Sequence, residues 1–277
     1  RGCGLPCTQT SWYGDGMFSL VAVSAELAEQ LVAIETDGED AVHQARIRVR
    51  RLRSILRVYR SAFEKDAALG MRTRLTTLGD RLGTVRDLEV KAATLEDLLE
   101  VDDPPEVVDA VTAAATETRA EHEAALASLL RYLHGGTVRA LLADLQMFAA
   151  EPPLSRKGRQ HPGRVTTRSL AKAVAKVHRL RGDSLEERHA TRKAARKVRY
   201  AADAVADDLG RAAVRLSSAA KAVQDALGDN RDDLLLAHEL REAGHIGLAM
   251  RCERRAAEAL DGLDRKLAAI AYEGADG

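Results

Sequence analysis

Apolar residues recur at helical spacing along almost the whole chain. Val23, Leu27, Leu31 and Ile34 lie four, four and three positions apart and mark one face of a helix over about 19–35. Gly38 breaks it. A second helix is predicted over about 39–62, with Val49, Leu52, Leu56 and Tyr59 on its apolar side. A third runs over 69–82 and ends or kinks at Gly83. Thr84 with Asp87 reads as a capping box that restarts the chain as a fourth helix, to about Glu100. Asp102-Asp103-Pro104-Pro105 is a hard stop. Helices over about 106–134 and 137–150 follow, divided by Gly135-Gly136, and Pro152-Pro153 opens a loop that runs to Gly163. The order then repeats, with helices near 165–181, 184–209, 211–227 and 230–243 and a long last one near 247–272. Aromatic residues make up only 3% of the chain, and β-branched runs outside helical periodicity are few, so the fold class is all-α.

The polar positions carry the sharper signal. Counting from His43, positions 46, 50, 53 and 57 are all arginine, and the spacing of three, four, three and four places them in one stripe of roughly 80°. The pattern returns as His189, Arg192, Arg196 and Arg199, with Lys197 in register with Arg51. A second shared signature follows each copy: Leu82-Gly83-Thr84-Val85-Arg86-Asp87, then Leu227-Gly228-Asp229-Asn230-Arg231-Asp232. Histidine to glycine is 40 positions in one copy and 39 in the other. A repeat of this length predicts two similar helical bundles related by a pseudo-twofold axis.

No acid occurs between Asp40 and Glu64, nor between Glu187 and Asp203. A solvated helix face ordinarily mixes signs, because like charges at i,i+4 oppose the helix by a few tenths of a kcal/mol per pair. Here such pairs accumulate, as in Arg46/Arg50, Arg53/Arg57 and Arg192/Arg196, and they call for an anion. The alternative is a basic surface with no partner. A third acid-free stretch, between Glu151 and Asp183, holds nine Lys or Arg, of which Arg168, Lys172, Lys176 and Arg179 form a stripe.

Over the whole chain 42 basic residues balance 42 acidic ones. Balance with segregation indicates a local anion site rather than a coat for DNA. Three cysteines form no disulfide framework or paired metal motif, which fits a reducing cytosol. No apolar run approaches the length of a membrane span, and residues 1–18 lack a signal-peptide pattern. Those residues are set apart as an N-terminal extension or remnant.

With these residues in view, the chain resembles the CHAD family, the conserved histidine α-helical domain, over about 19–272. The resemblance rests on Val42-His43-Gln44-x-Arg46-x-x-x-Arg50-Arg51-Leu52-Arg53-Ser54, on Leu82-Gly83-x-x-Arg86-Asp87, and on their second-half counterparts, including Arg196-Lys197-Val198-Arg199-Tyr200. The second copy departs from the first at Ala194, where the first has Arg48. The resemblance implies two helical bundles about a central basic groove or pore, here 19–150 and 165–272, joined by a linker over 151–164 and followed by a tail over 273–277. It also implies binding of inorganic polyphosphate, with some members at polyphosphate granules. The E-x-E-x-K motif of the triphosphatase domains often fused to CHAD domains does not occur in this sequence.

The expected polyphosphate contacts are His43, Arg46, Arg50, Arg51, Arg53, Arg57, Arg86, Lys172, Lys176, His189, Arg192, Arg196, Lys197, Arg199 and Arg231. Arginine suits the task because its planar fork grips phosphate oxygens in pairs and stays charged. Free phosphate or sulfate can occupy the same groove. His43 and His189 have three readings: protonated phosphate donors, metal ligands without an evident third partner, or structural rings bonded to Asp80 or Asp225. Arg86 and Arg231 either reach the groove or pair with a nearby acid. Asp87 and Asp232 read as helix caps. Asp229, Asp232 and Asp233 lack the calcium-loop pattern, and His238-Glu239 lacks the metalloprotease spacing. The expectation is a cytoplasmic polyphosphate-binding protein, associated with granules, without catalysis, cofactor or metal. The rivals are a nucleic-acid-binding helical protein, disfavoured by few stacking aromatics, and a phosphoryl-transfer enzyme using the histidines.

Overall fold

A computed structural model describes residues 17–36, 38–100 and 103–272. A 3-10 turn (Met17–Ser19) leads into α1 (Leu20–Glu35), α2 (Ala41–Val58), α3 (Lys65–Glu96), α4 (Pro105–Leu133), α5 (Gly136–Ala150) and α6 (Arg156–Gln160). The chain continues as α7 (Pro162–Arg179), α8 (Leu185–Asp203), α9 (Ala206–Leu209), α10 (Arg211–Glu242), α11 (Ile246–Glu258) and α12 (Leu263–Ala268). Among the described residues the only β pairing is an isolated bridge between Phe63 and Leu154. The regular elements of the described residues are therefore all helices, as expected.

Several boundaries differ from the sequence expectation, among them the helix over 184–209, which is divided into α8 and α9. Gly83 does not end a helix: α3 runs unbroken through it for 32 residues, and α10 likewise runs for 32 residues through Gly228. A glycine inside a helix costs about 1 kcal/mol relative to alanine, and packing along these long helices outweighs that. The stretch over 152–163 is not a loop throughout. It contains α6, capped by Ser155 Oγ accepting from the Gly158 amide, and it is docked on the α2–α3 corner. There Ser155 N donates to Ala62 O at 2.9 Å and Glu64 N to Pro153 O at 2.7 Å. A Cβ on Gly158 would lie 2.1 Å from that same Ala62 oxygen, so only glycine permits the approach. The last helix is divided in two, with Gly262 at φ +67 opening α12.

The two cationic helices lie side by side at the centre. α2 packs on α1, α3 and α8; α8 packs on α2, α7 and α10. One continuous core joins them, including Val49, Leu52, Leu56, Ala195 and Val198. The Tyr59 hydroxyl, fully buried, donates to the Ala201 carbonyl at 2.8 Å and ties the end of α2 to α8. Phe18, set apart in the sequence with the N-terminal stretch, is buried and stacks on Tyr59 at 4.4 Å, so the folded unit includes it. Expectations for residues 1–16, including Cys3 and Cys7, and for 273–277 lie outside the described residues.

A second, smaller core brings together Leu95, Leu98, Val111, Leu236, Leu240, Leu248 and the buried thiol of Cys252. Arg251 fastens it by donating to both Asp103 carboxylate oxygens, at 2.8 and 2.5 Å, and to Leu98 O. Among the described residues no helix is long and apolar enough to cross a membrane.

Candidate functional site: an arginine cleft between two helices

Alternation of apolar and cationic faces orients α2 and α8. Ala45, Val49, Leu52 and Leu56 are buried on α2, as are Ala194, Ala195 and Val198 on α8. The arginines are left on the flank between the helices and their long partners. The result is a cleft of about 350 Å³ lined by Arg46, Arg50, Arg53 and Arg196, with Gly79, Asp80, Gly83, Thr84 and Asp87 as its α3 wall. Three arginines of the first stripe and Arg196 of the second thus share one space.

Crowding shows in the arginines themselves. Arg50 is pushed down to about 10, below the ordinary arginine range, by burial and then by the charges of Arg46, Arg196 and Arg192. Arg196 is lowered by burial and by Arg192, Arg53 and Arg46, with Tyr200 acting the other way. Arg53 is lowered by burial and by Arg72 and Arg57, against the pull of Asp80. Guanidiniums held this close without equal counter-charge oppose the empty fold and favour an incoming anion.

The shared Leu-Gly…Arg-Asp signature has a physical role that its sequence reading missed. Arg46 Nη1 donates to the Gly83 carbonyl at 3.2 Å and to Asp87 Oδ1 at 2.6 Å. In the second half Arg192 Nη2 lies 3.7 Å from Asp232 Oδ2. A Cβ on Gly83 would meet the Arg46 guanidinium at 3.7 Å, and one on Gly228 would meet Arg192 Nη2 at 2.9 Å. Glycine therefore bares the long helix so that an arginine can lie on it, and the aspartate one turn on receives the guanidinium. Asp87 and Asp232 sit inside α3 and α10 and are arginine partners, not caps.

His43 and His189 stand beside the stripes. His43 is lowered from its ordinary 6.5 by burial and by Arg86, with Arg50 contributing and Asp40 and Glu89 opposing. Burial also lowers His189, followed by Lys193, Arg231, Arg192 and Arg196. In both rings the surroundings disfavour the protonated form. Neither bonds to the aspartate expected in a structural role. His189 Nδ1 is buried without a hydrogen-bond partner, and Asp225 instead accepts from Lys221 Nζ at 2.5 Å. Among the described residues there is no cluster of three metal-ligating side chains.

The other expected contacts divide. Lys197 is brought near Arg57, Lys176, Arg196 and Lys193, and burial with these neighbours takes it down to about 8. Arg86 lies by His43 but pairs with Glu89 at 2.6 Å and approaches Asp40 at 3.6 Å; Arg231 lies by His189 and pairs with Asp232 at 3.1 Å. Arg199 stacks over the Tyr200 ring at 5.2 Å. Arg51 points elsewhere: its Nη2 donates to the Asp203 carbonyl at 3.3 Å, across the junction of the halves. Lys172 is exposed on α7 and is not part of the cleft wall. Two further cations, outside the expected contacts, stand beside them. Arg72 flanks Arg53 from α3, and Lys193 sits between His189 and Lys197. Lys193 was legible as an i,i+4 partner of both; Arg72 lies in no stripe and needed the fold.

Comparison with known proteins agrees with this architecture. The chain is 28% identical over 227 residues to the uncharacterized protein Rv2226 of Mycobacterium tuberculosis strain H37Rv, and likewise to MT2285 of strain CDC 1551. The match takes in 77% of this chain and only 43% of those relatives, so the chain spans less than half their length. Among solved structures, PptA from Streptomyces chartreusis superposes with a TM-score of 0.62 at 18% identity, over 91% of this chain and 94% of that one. The CHAD domain of the plant Ricinus communis gives the same TM-score at 22% identity, over 92% of this chain and 90% of that one. These likenesses establish a common fold. The family model of the CHAD domain matches residues 22–241, and on that match, with two cationic helices packed at the centre of a CHAD-like fold, the chain belongs to the CHAD domain family.

Proposed function

We propose that the protein binds inorganic polyphosphate in a central groove lined by Arg, Lys and His from α2 and α8. The observation that carries this reading is the gathering of Arg46, Arg50, Arg53 and Arg196 around one cleft, with Arg192 close behind. Of the five, Arg46 bonds to Asp87 at 2.6 Å and Arg192 approaches Asp232 at 3.7 Å, and among the described residues no carboxylate forms an ion pair with Arg50, Arg53 or Arg196. Membership of the CHAD family supports a phosphate polyanion as the ligand. Polyphosphate offers charge and acceptor oxygens and nothing else, and rigid arginine forks meet that need without bases to stack or an apolar body to bury.

In this reading the halves are an internal duplication. Arg46 over Gly83 toward Asp87 and Arg192 over Gly228 toward Asp232 are its matching halves. Lys197, Arg57 and Lys176 extend the cationic track beyond the cleft, so a long chain meets many contacts in series and gains by multivalency. The protein acts by binding, not catalysis, in the cytoplasm and at polyphosphate granules. Titration calorimetry with long-chain polyphosphate at two salt concentrations tests this. Binding should weaken steeply with salt, long polyphosphate should displace RNA, and incubation should release no phosphate. Tighter binding of RNA, or chain shortening on incubation, would select one of the rival functions instead.

A further inference from the structure

The two halves are not equal where the cleft is deepest. Gly79 stands one turn before Gly83, and the residue one turn before Gly228 is Gln224. A Cβ at position 79 would lie 3.2 Å from Arg53 Nη1 and 3.0 Å from Val49 Cγ1, so glycine there makes the floor on which Arg53 rests. In the second half a glutamine side chain stands at that position, its Oε1 buried without a partner, and Arg192 is pressed closer to its glycine than Arg46 is. The cleft accordingly belongs to the first half, with Arg196 as its contribution from the second.

Its wall also holds an acceptor. Asp87 is engaged by Arg46, but among the described residues no side chain donates a hydrogen bond to the exposed carboxylate of Asp80. A carboxylate is a poor choice for the wall of a site meant only for internal phosphates, which carry acceptor oxygens and no proton. A terminal phosphate differs. It has a further ionisation, near pH 6 in a phosphate monoester, and in its protonated form it carries a P–OH donor that no internal phosphate has. The guanidiniums meet its acceptor oxygens, and Asp80, which also attracts Arg53, is the acceptor left for that proton.

We propose that the cleft over Gly79 and Gly83 receives the terminal phosphate of a linear polyphosphate, with Gly79 opening the pocket and Asp80 accepting the terminal P–OH. The proposal rests on the polyphosphate reading above. It gives binding a direction: one chain end is seated in the first half, and the rest of the chain runs past Arg196 along the second.

The test compares linear tripolyphosphate with cyclic tetrametaphosphate, a closed ring of similar charge with no terminus, by titration calorimetry. Long-chain polyphosphate serves as the control. The intact protein should bind the linear compound at least about tenfold more tightly, about 1.4 kcal/mol. Asp80→Ala removes an anion from a cationic cleft, so it should strengthen the ring and reduce the preference to under about threefold. Gly79→Gln should weaken the linear compound while sparing the ring, provided circular dichroism shows an unchanged helical fold. Equal affinity for line and ring in the intact protein overturns the proposal. So does an Asp80→Ala variant that strengthens both in proportion. If long-chain polyphosphate binds normally in those cases, the end receptor alone fails; if it does not bind, the polyphosphate reading fails and takes this proposal with it.

Discussion

Replacing Arg50 by methionine should make the empty protein more stable and the loaded protein less so. Arg50 is held at about 10, well below the ordinary arginine range. At about 1.4 kcal/mol per pH unit, keeping its charge opposes folding by about 3 kcal/mol before screening. The side chain is only partly buried, and solvent screening takes a share. We expect a net gain of about 1–2 kcal/mol for Arg50→Met, which keeps the aliphatic packing of the stem and drops the charge. In a chain of this size that corresponds to a rise in melting temperature of about 2–6 °C at low salt. Polyphosphate reverses the order. A ligand at a hundredfold its Kd stabilises the native state by about 2.7 kcal/mol, and the variant, short of a central contact, receives much less. Thermal melts of both proteins with and without long-chain polyphosphate should therefore cross. An Arg50→Met protein that is less stable when empty, or that keeps the full polyphosphate shift, would falsify the view that this cation is held at a cost for the sake of an anion.

Other outcomes follow from the same geometry. Gly83→Ala, with its nearest contact at 3.7 Å, should stabilise the fold by about 0.5–1 kcal/mol in urea unfolding. Gly228→Ala drives a methyl to 2.9 Å from Arg192 and should gain nothing while lowering polyphosphate affinity about threefold or more. Burial and neighbouring cations hold His43 and His189 below 6.5. Their contribution to the empty fold is thus fully present above the unfolded value and lost as pH falls through the lowered folded values. A bound polyanion raises both rings, so binding should take up protons and tighten as pH falls toward about 5.5. Calorimetry in buffers of different ionisation heat reads that uptake, and a His43→Asn/His189→Asn variant that keeps it refutes the assignment. Polyphosphate should raise the melting temperature far more than orthophosphate at equal phosphate content. Equal shifts would point to a single-phosphate site.

Much of this was legible in the chain because helical geometry turns spacing into a face. His43, Arg46, Arg50 and Arg53 fall in one stripe at any tertiary packing, and so do His189, Arg192, Arg196 and Arg199. Gly83 and Gly228 were misread because an isolated glycine in a helical pattern looks like an end. What it does here, baring the backbone of α3 and α10 for a guanidinium from another helix, depends on a contact 36 or 37 residues away in sequence. Asp87 and Asp232 were misread with them. Arg51 entered the list by motif register, although it lies about 100° from Arg50 on the helix, and in the fold it bonds to Asp203 O instead. Arg72 and the engagement of Phe18 by Tyr59 left no local trace and came only from packing.

The central claim is that the two stripes act on one polyanion. It is tested most directly by calorimetric titration of long-chain polyphosphate into the intact protein and into Arg50→Glu/Arg196→Glu at low salt. Both residues line the cleft away from the apolar faces of their helices, so the double variant should keep its helical fold. Its affinity should fall at least about 100-fold, or about 2.7 kcal/mol. Unchanged affinity in the folded double variant would contradict the shared site.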